Sequence, residues 1–209
     1  MARGGPRASE VLATRIRTLA KSQNWPRTVV LIDGHSGAGK TTLADELAYA
    51  IGAQHIGLDA FYPGWGGLEV GSAMVKGVLD SANPGFRKWD WKRNEPAGWQ
   101  KVNAKRDIVV EGSGCLSREN RDLATFAVWI RLDQTERKRR AMNRDGGQFL
   151  AHWDRWASQE QAFFARERPD LLADAVIDGR TGEIQFRADH LPAEAPLAET
   201  PPADVPASD

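Results

Sequence analysis

The sequence has one cysteine in 209 residues, Cys115, which excludes an internal disulfide framework. A lone thiol fits a reducing compartment, so the cytoplasm is the expected location. No stretch approaches the ~18 consecutive apolar residues that a membrane span needs. No apolar segment follows the Arg-bearing N-terminus MARGGPRASE, so a secretory signal is not expected there. Net charge is also missing. The 28 Lys and Arg balance the 28 Asp and Glu, which removes a global electrostatic case for nucleic acid or an acidic membrane surface as partner. No internal repeat is found, and no His, Cys and acid spacing resembles a zinc site. Tyrosine occurs twice, whereas tryptophan occurs eight times, so the placement of those eight rings matters.

With 41% hydrophobic residues the chain can build a real core, and its length suits one domain. Residues 1–8, rich in Gly, Pro and Arg, are expected to be disordered, and residues 9–187 to form a single domain. Residues 188–209 read as a disordered tail, since Leu191 to Asp209 is rich in Pro, Ala and acids and lacks Lys and Arg. Ser9 caps a helix with Val11, Leu12, Ile16 and Leu19 on one face. Thr28 to Ile32 is a short β-branched apolar run, the signature of a fully buried parallel strand. A helix follows over 40–51, then a weak strand from Gln54 to Leu58. Further strands are expected at Asp107–Val110, Ala127–Leu132 and Ala175–Ile177, with helices over 134–144 and 148–168. Residues 60–104, rich in Gly, Pro and Trp, read as a small, partly helical excursion. Strands alternating with helices predict an α/β doubly wound parallel sheet.

Residues 34–41, GHSGAGKT, match G-x-x-x-x-G-K-[ST], the phosphate-binding loop pattern. Average residue frequencies give that pattern by chance in about one chain of this length in a hundred. Its place between a buried strand and a helix narrows this further. Glycines let successive N–H groups face one concavity, and the helix N-terminus favours an anion there. Lys40 can reach the β and γ phosphates, and the Thr41 hydroxyl can join a magnesium shell. Gly34, His35, Ser36, Gly37, Ala38, Gly39, Lys40, Thr41 and Thr42 are therefore candidate nucleotide contacts. ATP and Mg2+ are the implied cofactors.

In an open parallel sheet, functional groups gather at the carboxyl ends of strands. Glu111 follows the apolar strand DIVV and is the candidate second magnesium ligand beside Thr41. Asp59 ends another strand before Phe61 and Tyr62, and is placed to take a proton from an attacking hydroxyl. Asp133 reads as the N-cap of the next helix. In that helix Arg137, Arg140 and Arg144 stand at i, i+3 and i+7 on one face. Three guanidiniums suit a triphosphate and the charge that develops as a phosphoryl group moves, so residues 134–147 are expected to act as a lid. Lys40, Asp59, Arg140 and Arg144 are the candidate catalytic residues, with Arg137 on the nucleotide.

These stretches together resemble the P-loop nucleoside and nucleotide kinase superfamily, the uridine kinase-like branch most closely. The matching segments are IDGHSGAGKTTLADELA at 32–48, LDAFY at 58–62, VVEGSG at 109–114, ERKRRAMNRDG at 136–146 and ADAVIDG at 173–179. The resemblance implies a three-layer P-loop fold with a five-stranded parallel sheet in the order 2-3-1-4-5, a lid helix and an excursion covering the acceptor. It also implies Asp59 as general base, Glu111 as a holder of magnesium, and Arg140 and Arg144 on the phosphates. The features with which uridine kinases hold a pyrimidine have no match here. FRKWDW at 86–91 stands in their place, a pattern closer to uncharacterised bacterial kinase-like ATPases of that branch.

Phe61, Tyr62, Trp65, Phe86, Trp89, Trp91 and Trp99 form an aromatic block over the expected acceptor site. Most should be core, with one or two lining a pocket. Tyr62, Arg87, Trp89 and Asp90 are the candidate acceptor residues. If the segment is extended, Trp89 and Trp91 share a face with Asp90 opposite. The leading function is transfer of the γ-phosphoryl group of ATP to a small-molecule hydroxyl acceptor, a nucleoside foremost. A nucleotide-dependent switch or assembly factor without an acceptor is the alternative. A guanine-reading N-K-x-D stretch is absent. A nucleic-acid kinase is permitted by the basic helix and the aromatics, and opposed by the zero net charge.

Overall fold

The computed structural model describes residues 6–187, with the side chains of 144–150 outside the description. The expected disordered segments therefore fall outside it, apart from residues 6–8, of which Ala8 opens the first helix.

The six-residue strand β1 (Val29–Gly34) is buried along its whole length, as its β-branched run requires. It pairs in parallel with β5 (Ile108–Glu111) on one side and β6 (Phe126–Arg131) on the other. Outside these lie β2 (Gln54–Gly57) on β5 and β7 (Ala175–Asp178) on β6, both parallel. A short antiparallel strand, β8 (Ile184–Phe186), closes the β7 edge. The sheet order is β2-β5-β1-β6-β7-β8. The expectation of five parallel strands ordered 2-3-1-4-5 is corrected accordingly. Among the described residues the sheet has six strands, and β3 (Gly85–Asp90) and β4 (Glu95–Lys101) intervene along the chain as a separate antiparallel hairpin. The excursion is thus helix and hairpin together. Its helix, α3 (Leu68–Leu79), buries Leu68, Val75 and Val78.

Alternation along β1 divides the core into two layers. Val30 and Ile32 pack with Leu12, Ile16 and Leu19 of α1 (Ala8–Ser22) and with Leu43 and Leu47 of α2 (Lys40–Ile51). Val29 and Leu31 face the other layer, where Phe61, Tyr62, Trp129, Trp153, Trp156 and Phe163 cluster. The last three belong to α6 (Trp153–Glu167). Two short helices complete the set, α4 (Arg118–Arg121) and α7 (Pro169–Leu172). The basic helix α5 (Gln134–Leu150) runs past the expected end at 144. Gly146 and Gly147 lower helix propensity there without breaking the helix. Asp133 Oδ1 accepts from the Glu136 amide at 2.9 Å, the N-cap bond anticipated for it. Among the described residues no helix is long and apolar enough to cross a membrane.

Candidate active site

The carboxyl ends of β1, β2 and β5 converge on one cavity of about 1390 Å³. The loop from Gly34 to Gly39 joins β1 to α2 beneath it, and Ser36, Gly37, Gly39, Lys40, Thr41 and Thr42 line it. Gly37 has φ +82°, and a Cβ there would run into the backbone of Arg137, so only glycine lets the loop pass this close to α5. Gly39 also has positive φ, +102°, with open space where a Cβ would stand. That opening leaves the loop backbone accessible to a phosphate from the cavity side.

Lys40 is buried, and its Nζ donates to the carbonyls of Gly34 (2.8 Å) and His35 (3.2 Å) and to Ser113 Oγ (3.2 Å). It is folded back on its own loop at the cavity wall. The His35 carbonyl is one of these acceptors. The His35 ring lies edge-on to Phe164 (4.6 Å) and Trp129 (5.6 Å), and desolvation, foremost, lowers its pKa to about 4, so it is neutral at pH 7.

Asp33 anchors the loop from behind. Its carboxylate accepts from the amides of Gly34 (2.6 Å), Gly114 (3.0 Å) and Leu116 (2.8 Å), tying β1 to the turn after β5. Complete burial raises its pKa to about 7, opposed by these amides and by Lys40.

Thr41 Oγ1 donates to Glu111 Oε1 at 3.1 Å. Glu111 is buried, and the absence of a Cβ on Gly57 makes room for it: one would stand 2.9 Å from the same oxygen. A hydroxyl and a carboxylate side by side are hard oxygen donors of the kind magnesium takes while keeping its waters, so the pair fits the expected metal. His55 lies behind Glu111, its Nε2 3.8 Å from Oε1, an electrostatic contact rather than a hydrogen bond. Its Nδ1 meets Asp45 at 2.7 Å. Glu111, foremost, with Asp45, holds the His55 pKa above its ordinary value against desolvation.

Asp59 sits in a single 3-10 turn (Leu58–Ala60) just beyond β2 and lines the cavity. Arg140 lines it too, steadied by Glu136 Oε1 (2.8 Å) and the Gly179 carbonyl (3.2 Å). Arg137 is placed differently from the expectation. Its guanidinium is buried and donates to the carbonyls of Leu132 (3.1 Å) and Ser36 (3.4 Å), so it braces the loop from behind instead of reaching into the cavity. The side chain of Arg144 lies outside the described residues.

Of the four expected acceptor residues, only Tyr62 lines the cavity. Its hydroxyl donates to the Ser113 carbonyl at 2.7 Å, and burial, foremost, keeps its pKa well above the ordinary value. Arg87, Trp89 and Asp90 do not line this cavity. β3 ends at Asp90, whose Oδ1 caps the turn by accepting from the amides of Lys92 (2.9 Å) and Arg93 (3.0 Å). The turn swings Trp91 away from the line of the strand, and its Nε1 donates to the Asp59 carbonyl at 2.7 Å. Beyond Tyr62, the aromatic side of the cavity is formed by Trp91 and Lys92 from the turn, with Trp65, His152 and Trp156. Trp65 stacks on His152 at 4.5 Å and 18°, and lies 5.0 Å from Trp91. The sequence reading also missed Glu160. Its signal was an acid on the apolar face of α6, among Trp153, Trp156, Phe163 and Phe164.

No family model matches this chain, and no curated protein matches it by sequence. Solved structures do share its fold. One is named as a fructose transport system kinase from Silicibacter sp. TM1040, with TM-score 0.57 and 18% identity over 81% of this chain and 96% of that one. Another is named as a uridine kinase from Bacillus stearothermophilus, with TM-score 0.52 and 22% identity over 80% of this chain and 100% of that one. At these identities the shared property is the fold: the mostly parallel α/β sheet with flanking helices seen in P-loop kinases.

Proposed function

We propose that this chain is an ATP- and magnesium-dependent kinase that transfers the γ-phosphoryl group to a hydroxyl of a small acceptor, with a nucleoside as the leading acceptor class. The observation that carries this reading is the continuity of the cavity. One space runs from the phosphate loop, past Thr41 and Glu111, to Asp59 and a wall of tryptophans. A bare nucleotide switch needs the first part and has no use for the rest. The names of the two similar structures, a fructose transport system kinase and a uridine kinase, lend support, since fructose and uridine are both small polyhydroxy compounds.

In this reading the loop amides and Lys40 hold the phosphates, Lys40 exchanging its carbonyl partners for phosphate oxygens. Thr41 and Glu111 would hold magnesium, which would supply positive charge against the phosphate oxygens. Asp59 accepts the proton of the acceptor hydroxyl as that oxygen attacks the γ phosphorus and the bond to the β-phosphate oxygen breaks, with ADP leaving. Arg140 supplies positive charge at the cavity wall as the phosphoryl group moves. The rings of Trp65, Trp91 and Trp156 exclude water and offer planar faces against which a base or the apolar face of a sugar can lie.

The test is ADP formation and product mass with magnesium ATP against a panel of nucleosides, nucleotides, sugars and short oligonucleotides. The reading expects one small hydroxyl compound to stimulate ADP release and gain a single phosphate. Turnover that no acceptor alters would favour the switch.

A further inference from the structure

Behind the cavity lies a carboxylate that none of this chemistry uses. Glu160 on α6 is only 1% exposed. Its Oε1 accepts from the Ser36 amide (2.7 Å), Ser36 Oγ (2.8 Å), Ser113 Oγ (2.8 Å) and Trp156 Nε1 (3.0 Å). The three donor residues belong to three different walls of the cavity. Ser36 comes from the phosphate loop, Ser113 from the turn after β5, and Trp156 from the tryptophan wall. Glu160 stands behind all three and reaches the cavity only through them.

A buried carboxylate is unfavourable unless donors and opposite charge surround it. Arg137 Nη1 lies 4.0 Å from Oε2, and Lys40 connects through Ser113, its Nζ 3.2 Å from Ser113 Oγ. The groups that contact its oxygens here are donors, so the position calls for an acceptor. An apolar residue would leave the Ser36 amide and the Trp156 indole without their partner.

We infer that Glu160 is a positioning residue that couples occupancy of the phosphate loop to the tryptophan wall; the inference rests on the nucleotide-binding reading above. A nucleotide that draws Lys40 from Ser113 to its phosphates changes how Ser113 and Ser36 share the Glu160 oxygen. Trp156 donates to that same oxygen and registers the change. By reciprocity, an acceptor pressed against Trp156 alters the loop's affinity for nucleotide by the same factor.

The probe is magnesium ADP, titrated by calorimetry and by tryptophan emission into the full chain and into Glu160→Gln and Trp156→Phe. Glu160→Gln keeps the shape and one acceptor oxygen; Glu160→Ala is the harsher change, and if it does not fold, Glu160→Gln decides. In the native chain, binding should change the emission, and Trp156→Phe should remove most of that change. Glu160→Gln should melt near the native temperature, bind magnesium ADP about tenfold more weakly because the loop is less well held, and lose the emission change. Native or tighter affinity with the full emission change in Glu160→Gln would overturn the inference. So would an emission change that survives Trp156→Phe. If the native chain does not bind magnesium ADP, the nucleotide reading falls and this inference with it; if it binds and Glu160→Gln behaves identically, only this inference falls.

Discussion

The indole N–H of Trp91 donates to the backbone carbonyl of Asp59 at 2.7 Å, so the tip of the β3–β4 hairpin is fastened to the segment that carries the proposed general base. Trp91→Phe keeps a ring and removes only the donor. A lost neutral hydrogen bond is worth about 1 kcal/mol. The expected result is a KM for the acceptor raised about fivefold with the KM for ATP unchanged, measured by steady-state kinetics. Equal changes in both would mean that the bond serves the fold as a whole.

Lys40→Ala should fold normally, because its Nζ bonds two carbonyls and a hydroxyl at the cavity wall. Turnover should fall by on the order of a hundredfold or more, the usual loss when one well-placed transition-state charge is removed. Near-native turnover with every acceptor in the panel would contradict the proposed role of the loop.

Glu111→Gln tests the magnesium pair. The amide keeps the shape beside Thr41 Oγ1 and removes the charge. The variant should need roughly tenfold more magnesium for half-maximal turnover, the scale of one charge-assisted contact. An unchanged magnesium titration would assign Glu111 to holding the loop alone.

Asp33 sets a pH dependence of stability. Its folded pKa of about 7 lies above the unfolded value, so the native state keeps a proton that the unfolded chain has released. Its contribution is present below about pH 4 and is lost as pH rises through 7. Asp33→Asn has no such proton. The native chain's stability relative to Asp33→Asn should therefore fall between pH 4.5 and 7.5, by up to a few kcal/mol, in urea unfolding. A constant difference would show that the surrounding amides hold the carboxylate ionised throughout.

What the sequence made legible follows from local rules. The loop pattern between a β-branched run and a helix placed a strand-to-helix turn at the cavity, and the strand-end rule put Asp59 and Glu111 on the same cavity. The tryptophan wall of the cavity was not legible, because it depends on the residue at which β3 stops. Had the strand continued past Asp90, Trp89 and Trp91 would share a face. The turn that Asp90 caps instead sends Trp91 to Asp59, while Trp89 packs near Gly64. Arg137 shows the same limit. Helical spacing puts it on one face with Arg140, but the first turn of α5 lies so close to Gly37 that Arg137 is buried behind the loop. Glu160 needed the tertiary packing of α6 against the loop before its partners could be named.

The central claim is transfer to an acceptor, and Asp59→Asn tests it most directly. Asp59 lines the cavity between the phosphate loop and the tryptophan wall, where a base would meet the hydroxyl of an acceptor. The measurement pairs magnesium ATP affinity by calorimetry with phosphorylated product formed from the best acceptor of the panel. The prediction is affinity within a few-fold of the native chain and product formation lower by about a hundred- to ten-thousandfold, the usual worth of general-base help. Product formation at the native rate would contradict the account.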